Sequence, residues 1–395
     1  MLNSRLIPFI YAFLLSLFVS SLIIFDLSEN IIYSNLFNIT LWGFFFMVFL
    51  IKKSSKIPYN KMIFAYIIFT IFAASSVLWA LDFDLAFSYA MRLMIVSLNL
   101  IVLYVIFKDY KLENTILYGI LIGAFYNYLI AFSIISVNYE IYEFGRFTGS
   151  VGNANKLSKI MLISIFASLV LLLSPGIKNY FKIYNYINII LALYIIFLTV
   201  SKKAIILAPL LLLASFSIKK VNIKNILLFV LILFVSYEIF IRYADFTYIG
   251  EMYELFIKRF SGLIEVLIGV GGDASSSERE HLITAALNVF SGNPLFGIGL
   301  NNFRLLHGIY AHNNYLELLS GVGIIGMMLF YSIYVYLIFM IAKMHSSSLQ
   351  RYFMVMTFVL LAMDFATVSY FNKLILFLVL YMYYKAEMNS KANKR

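Results

Sequence analysis

The sequence predicts an all-α polytopic membrane protein of about twelve transmembrane helices, with one long helical extracytoplasmic loop between spans 9 and 10. Three observations predict it. Hydrophobic residues make up 63% of the chain and charged residues 12%, so a soluble fold would leave a large apolar area facing water. The apolar runs are about 17–25 residues long, the length at which a helix crosses the hydrocarbon while satisfying its own backbone. Barrel strands would be about half as long and would alternate in polarity. Basic residues gather in every second turn between the runs, which is the pattern of the positive-inside rule.

Taken in order, spans are expected at 6–25, 35–51, 60–80, 86–107, 115–137, 158–175, 183–200, 203–218, 223–242, 314–342, 351–369 and 372–385. The first run has no small-residue cleavage site and reads as a retained span. With the N-terminus inside, the even-numbered turns and both tails are cytoplasmic. They hold Arg5, Lys52, Lys53, Lys56, Lys61, Lys108, Lys111, Lys178, Lys182, Lys219, Lys220, Lys224, Lys343, Arg351, Lys385, Lys391, Lys394 and Arg395, whereas short outer turns hold Asp26, Glu29, Asp82 and Asp84. Residues 1–242 therefore carry spans 1–9, residues 243–313 form the outer loop, and residues 314–395 carry spans 10–12 and a cytoplasmic tail.

Composition also excludes function classes. The net charge of +11 is dispersed among interhelical turns, which is a topology signal and not a nucleic-acid footprint. The absence of cysteine excludes thiolate nucleophiles and cysteine-based metal sites.

Outer basic residues break the topology rule and so mark candidate function. Arg146 lies in the outer segment 138–156, Lys202 and Lys203 form a tiny outer turn, and Arg279 lies in the long loop. A Ser277–Glu280 capping box and a stop at Gly292 and Pro294 predict a helix over 278–290. On it Arg279 shares a face with Ile283, Ala286 and Phe290, so a buried anionic partner is expected. Arg92 lies inside the fourth span, roughly six residues or ~9 Å below its outer end. It either snorkels to the headgroups or reaches a pocket.

The most informative stretches are Asn293-Pro-Leu-Phe-Gly-Ile-Gly-Leu-Asn-Asn-Phe303 and Tyr310-Ala-His-Asn-Asn-Tyr-Leu-Glu317. Together with Arg146-Phe-Thr-Gly-Ser-Val-Gly-Asn-Ala-Asn155, Thr199-Val-Ser-Lys202 and Ser276-Ser-Glu-Arg279, in this order and on this side, the chain resembles the O-antigen ligase and polymerase superfamily of bacterial envelope enzymes. The resemblance runs from about 144 to 326. It implies glycosyl transfer at the outer face of the bacterial inner membrane, from an undecaprenyl-diphosphate-linked glycan to an acceptor hydroxyl. The acceptor would be lipid A-core in a ligase or a second lipid-linked glycan in a polymerase; the ligase is preferred on overall likeness. It further implies an inverting enzyme with no metal and no cofactor, so Gly297 and Gly299 are not expected to cradle a nucleotide phosphate. Where the family shows Ser-Arg, this chain has Ser201-Lys202-Lys203, which keeps the charge and loses the guanidinium fork.

Elementary chemistry agrees with the implied role. A leaving diphosphate needs cations near the bilayer surface, and guanidinium groups match its oxygens in pairs. An acceptor hydroxyl needs a base that titrates in the useful range. His312 and Arg279 are therefore the catalytic candidates, with Arg146, Lys202, Lys203, Arg279 and Arg92 as diphosphate ligands. Asn153, Asn155, Asn301, Asn302 and Asn313 are the candidate sugar contacts. Each has a structural alternative: His312 could cap a helix, Arg279 could pair with Asp273, Arg146 could anchor at the headgroups, and asparagines are common in loops. His307 and His281 read as solvated outer residues and His345 as cytoplasmic. Glu317 lies about 140° around the helix from His312 and is not expected to orient it. Asp364, in the eleventh span, either pairs with a lysine or is protonated. A lipid-linked oligosaccharide flippase or transporter is the rival class, but it predicts two similar halves, and the long loop after span 9 breaks that symmetry. An inert scaffold would not explain Arg279 on an apolar face.

Overall fold

The computed structural model describes residues 6–27, 31–52, 59–214 and 274–392. The expected ninth span and the loop residues before Ala274 lie outside the described residues, as do most residues of the turns at 28–30 and 53–58.

Every other expected span coincides with a helix. These are α1 (Leu6–Ile24), α2 (Ile31–Lys52), α3 (Lys61–Ser75), α4 (Phe83–Tyr110), α5 (Thr115–Ala131), α6 (Ala154–Leu172), α7 (Asn179–Leu198) and α8 (Lys202–Leu213). After the outer segment come α9 (Ala274–Gly292), α10 (Phe303–His307), α11 (Asn314–Ala342), α12 (Ser347–Met363) and α13 (Lys373–Ala392). Among the described residues seven helices are long and apolar enough to cross a membrane, so the chain is a mostly helical, multi-pass membrane protein. Capping fixes several starts: Asn60, Asp82, Asn153 and Asn313 each accept a backbone N–H of the helix they precede, satisfying donors that would otherwise be orphaned in an apolar setting.

Small residues set the closest helix approach. Gly119 and Gly123, one turn apart on α5, face α1; a Cβ at Gly119 would lie 2.7 Å from Val19 Cβ, and one at Gly123 2.7 Å from Ile23 Cδ1. In lipid, where apolar area alone gives no helix association, such small-residue faces let dispersion hold two helices together. The most enclosed helix is α6, surrounded by α5, α7, α8 and α12.

Polar contacts tie the helices together at both ends of the bundle. At one end Lys385 pairs with Glu113 at 3.0 Å, Arg351 donates to Ala214 O, and His345 N–H donates to Asn389. At the other end Asn302 joins Asp82, Arg146 joins Thr199, and Lys159 joins Asp364.

The Pro-x-x-Gly-x-Gly run interlocks with α11, which the sequence led us to expect as an ordinary span. At Gly323 the helix is broken, with φ 68° and ψ −173°. The carbonyls of Ser320 and Gly321 then accept from Ile298 N–H and Gly299 N–H, both at 2.9 Å, while Ile324 N–H donates to Pro294 O. Freed helix carbonyls and loop amides satisfy one another, the condition under which irregular backbone survives at membrane depth. Gly297 is held so close that a Cβ would lie 2.5 Å from Gly321 backbone. The glycines thus serve backbone packing.

Two local expectations are corrected. Helix α9 already includes Ala274, so Ser277 lies inside the helix and not at its cap; the Gly292 stop holds. Its buried face also sits differently, because Leu282 and Ala286 pack with Phe303, Ala311 and Leu316 while Ile283 is exposed.

Candidate functional site

The end of the bundle where Asn302 meets Asp82 holds a cavity of about 300 Å³. Asn153 and Lys156 reach it from the start of α6, Asn301 from the glycine-run loop and Arg304 from α10. Tyr310 and Glu317 reach it from either side of His312.

Each wall is fixed by its own element. Asn153 accepts from Lys156 N–H at 3.0 Å, so this residue caps α6 as well as lining the cavity. Lys156 pairs with Asp26 at the end of α1. One turn deeper, Lys159 is buried and donates to Asp364 at 3.2 Å and Thr367 at 3.1 Å. Asp364 therefore pairs with a lysine, one of the two options open for it in the sequence. It also accepts from Tyr331, and its backbone carbonyl accepts from Asn314 N–H at 2.7 Å. Asn314 carries the same network to Ser369 and Tyr370, so α6, α11 and the α12–α13 turn are tied at the floor of the cavity.

Glu317 is the best-placed acid. Its Oε2 accepts Ala311 N–H at 2.9 Å, which holds the backbone one residue before His312. Sequence reasoning placed Glu317 off the His312 face because both were taken as helical. His312 in fact precedes α11 with a left-handed φ of 51°, so the chain turns there and the acid supports the loop from beneath. The Tyr310 ring lies tilted at 37° against the His312 ring, with centroids 4.0 Å apart. Burial, and next the Glu317 carboxylate, push the Tyr310 hydroxyl above its ordinary value, while Arg304 opposes them. It stays a neutral donor beside the histidine.

The segment carrying Arg146 and the turn before Lys202 meet each other. Arg146 is 8% exposed, positioned by a tight hairpin in which Tyr142–Glu143 pairs with Arg146–Phe147. Its Nε donates to Thr199 O at 2.8 Å and its Nη2 to Asn155 Oδ1 at 3.0 Å. Ser201 donates to the same Asn155 oxygen at 3.2 Å. The segment 146–155 is thereby clamped to the turn carrying Lys202 and Lys203, and Lys203 lies 5.7 Å from the Phe365 ring centroid. Arg92 is exposed and lies 4.5 Å over Tyr89, another cavity residue. Because α4 starts at Phe83, Arg92 is about nine residues, or ~14 Å, along it. Its guanidinium reaches back one turn toward the outer end, as a snorkelling side chain does.

Other expected contacts are engaged by the protein itself. Asn302 is fully buried, accepting Asp82 N–H at 2.6 Å and donating to Leu300 O. Asn313 caps α11 through Tyr315 N–H and Leu316 N–H. Asn155 faces Arg146. Arg279 lies on α9, but its side chain is outside the described residues, as is its suggested partner Asp273. His281 and His307 line a separate open groove between α9 and α10.

Sequence reasoning missed Lys156, Lys159, Arg304, Tyr310 and Glu317. An available signal was the scarcity of ionisable residues near apolar runs, which makes each of them a functional hypothesis. The pairing across 205 residues from Lys159 to Asp364 had no local signature.

Residues 187–331 match a family model described as O-antigen ligase. That match spans α7, α8, α9, α10 and α11 up to the residues just past its break, and it supports the O-antigen ligase and polymerase superfamily. No curated protein matches the chain.

Proposed function

We propose that this chain, whose residues 187–331 match a family model described as O-antigen ligase, transfers a glycan from undecaprenyl diphosphate to an acceptor hydroxyl at the outer face of the bacterial inner membrane. The observation that carries this reading is the cavity where Lys156, Arg304 and the amides of Asn153 and Asn301 come together, with Tyr310, whose ring lies against His312, on its wall. Cations beside amides suit a ligand that is part diphosphate and part sugar.

In the proposed step His312 takes the proton of the acceptor hydroxyl. The freed oxygen forms a bond to the anomeric carbon, and the carbon–oxygen bond to the diphosphate breaks on the opposite face, so configuration inverts. The bonding pair leaves on the diphosphate, whose charge is stabilised by Arg279, Arg146, Lys202, Lys203 and Arg92, with no metal required. Lys156 and Arg304 join that set from the cavity. Asn153 and Asn301 are the sugar contacts that line the cavity; Asn155, Asn302 and Asn313 support the walls. Arg146 also holds the two basic turns in register.

Lipid A-core is the preferred acceptor, which makes the protein a ligase; a second carrier-linked repeat would make it a polymerase. Deleting the gene and separating surface glycan on a gel distinguishes them. Loss of all core-attached glycan is the ligase outcome, and persistence of a single attached repeat is the polymerase outcome. Unaltered surface glycan would reject both.

A further inference from the structure

Two buried polar atoms at this cavity have no partner. Glu317 is 3% exposed; its Oε2 is held by Ala311 N–H, but its Oε1 bonds to nothing. Asn301 is 4% exposed, and its Nδ2 bonds to nothing. Both residues line the same cavity. Native proteins rarely leave such atoms unpaired, so two at one cavity call for a ligand.

The pairing of types narrows the ligand. One orphan is an acceptor and the other a donor. A phosphate offers only acceptors at neutral pH and would match Glu317 only in its protonated form. A cation would satisfy Glu317 and leave the amide unmatched. A hydroxyl does both, because it donates one hydrogen and accepts another.

Neither group is free to turn away. Asn301 sits in the left-handed region at φ 58°, a conformation asparagine tolerates and that marks built sites. Its neighbours are pinned, with Leu300 N–H on Ser76 Oγ at 3.1 Å and Asn302 on Asp82. Glu317 lies in the first turn of α11, ahead of the Gly323 break.

We propose that Glu317 and Asn301 form a sugar-hydroxyl subsite, in which Glu317 Oε1 accepts from, and Asn301 Nδ2 donates to, one hydroxyl of the glycan. Lys156 and Arg304 on the same cavity put this sugar next to the diphosphate. The subsite rests on the proposed function for the lipid-linked nature of that glycan.

Two substitutions separate recognition from folding. Glu317→Gln keeps an oxygen for Ala311 N–H and turns the free atom into a donor. Asn301→Gly removes the amide at a φ that glycine adopts readily. Full-length protein is compared for binding of undecaprenyl diphosphate alone and of the lipid-linked glycan that accumulates in a strain lacking the gene. Wild type should bind the glycan-bearing lipid at least about tenfold more tightly than the bare lipid. Both variants should lose that increment and keep bare-lipid affinity; if one fails to fold, the other decides.

An increment that survives substitution, or is missing in wild type, overturns the subsite. Variants that also lose the bare lipid overturn it too, by making both residues structural. If wild type ignores the bare lipid, the diphosphate reading falls by itself. Glycan released from the carrier then decides the subsite: binding to wild type and not to Glu317→Gln upholds it, and equal binding overturns it.

Discussion

A histidine one residue outside a helix can be aimed by its backbone, and His312 is aimed that way. Its left-handed φ, the Tyr310 ring against it and the Glu317 carboxylate on Ala311 N–H fix the turn. As the proposed base it should account for about 10²–10⁴ of the rate. His312→Ala, with membrane expression confirmed, is expected to lose transfer by about that factor; unchanged transfer would remove histidine from the mechanism. Arg146 is a different kind of residue, because its guanidinium bridges Thr199 O and Asn155 Oδ1. Lysine cannot reproduce that fork. Arg146→Lys should destabilise the protein by about 1–3 kcal/mol, the cost of leaving a buried acceptor unmatched. The measurement is thermal unfolding in detergent, and an unchanged transition would show that the clamp is dispensable.

Elements here are specified by glycines as much as by apolar runs. The break in α11 requires the backbone of Gly323 (φ 68°, ψ −173°), a region almost closed to other residues, and a Cβ there would lie 2.2 Å from Leu295 O. Gly323→Ala should therefore abolish well-folded protein, with strain of about 1–3 kcal/mol before the clash is counted. The readout is the monodisperse fraction on size exclusion. Gly119→Leu would push α1 from α5 and is expected to lower stability by about 1–3 kcal/mol through overpacking. A stable Gly119→Leu protein would mean that the two helices separate without cost.

Across the whole molecule, one buried ion pair ties distant parts of the chain. Lys159 on α6 and Asp364 at the end of α12 are 5% and 0% exposed in their side chains. Removing one partner leaves a buried charge, and costs about 3–5 kcal/mol in comparable cases, whereas replacing both with apolar groups is often neutral. Asp364→Leu alone should lower thermal stability sharply, and Lys159→Met with Asp364→Leu should recover much of the loss. A double variant no better than the single one would show that Thr367, Tyr331 and Asn314 carry the junction instead. Sidedness is tested by a reporter fused after Gly271, which is expected to lie outside the cell membrane; a cytoplasmic signal would overturn the orientation and the location of the site together.

The sequence by itself determined where the helices run, because hydrocarbon demands long apolar segments. It also brought Arg146, the Lys202 turn and the His312 stretch to one side, since loop charge and alternating crossings depend only on order along the chain. It did not show Glu317 beneath the His312 turn, because angular position on an ideal helix says nothing about a residue at φ 51°. Nor did it show the broken α11, where Gly323 reads as one small residue among many until Pro294 and Ile298 supply the missing backbone partners. Only the tertiary structure joined Lys159 to Asp364 and left Glu317 and Asn301 unpaired at one cavity. Those features arise from contacts between separate segments, 205 residues apart for Lys159 and Asp364, or from backbone turns of single residues, and a hydropathy pattern carries neither.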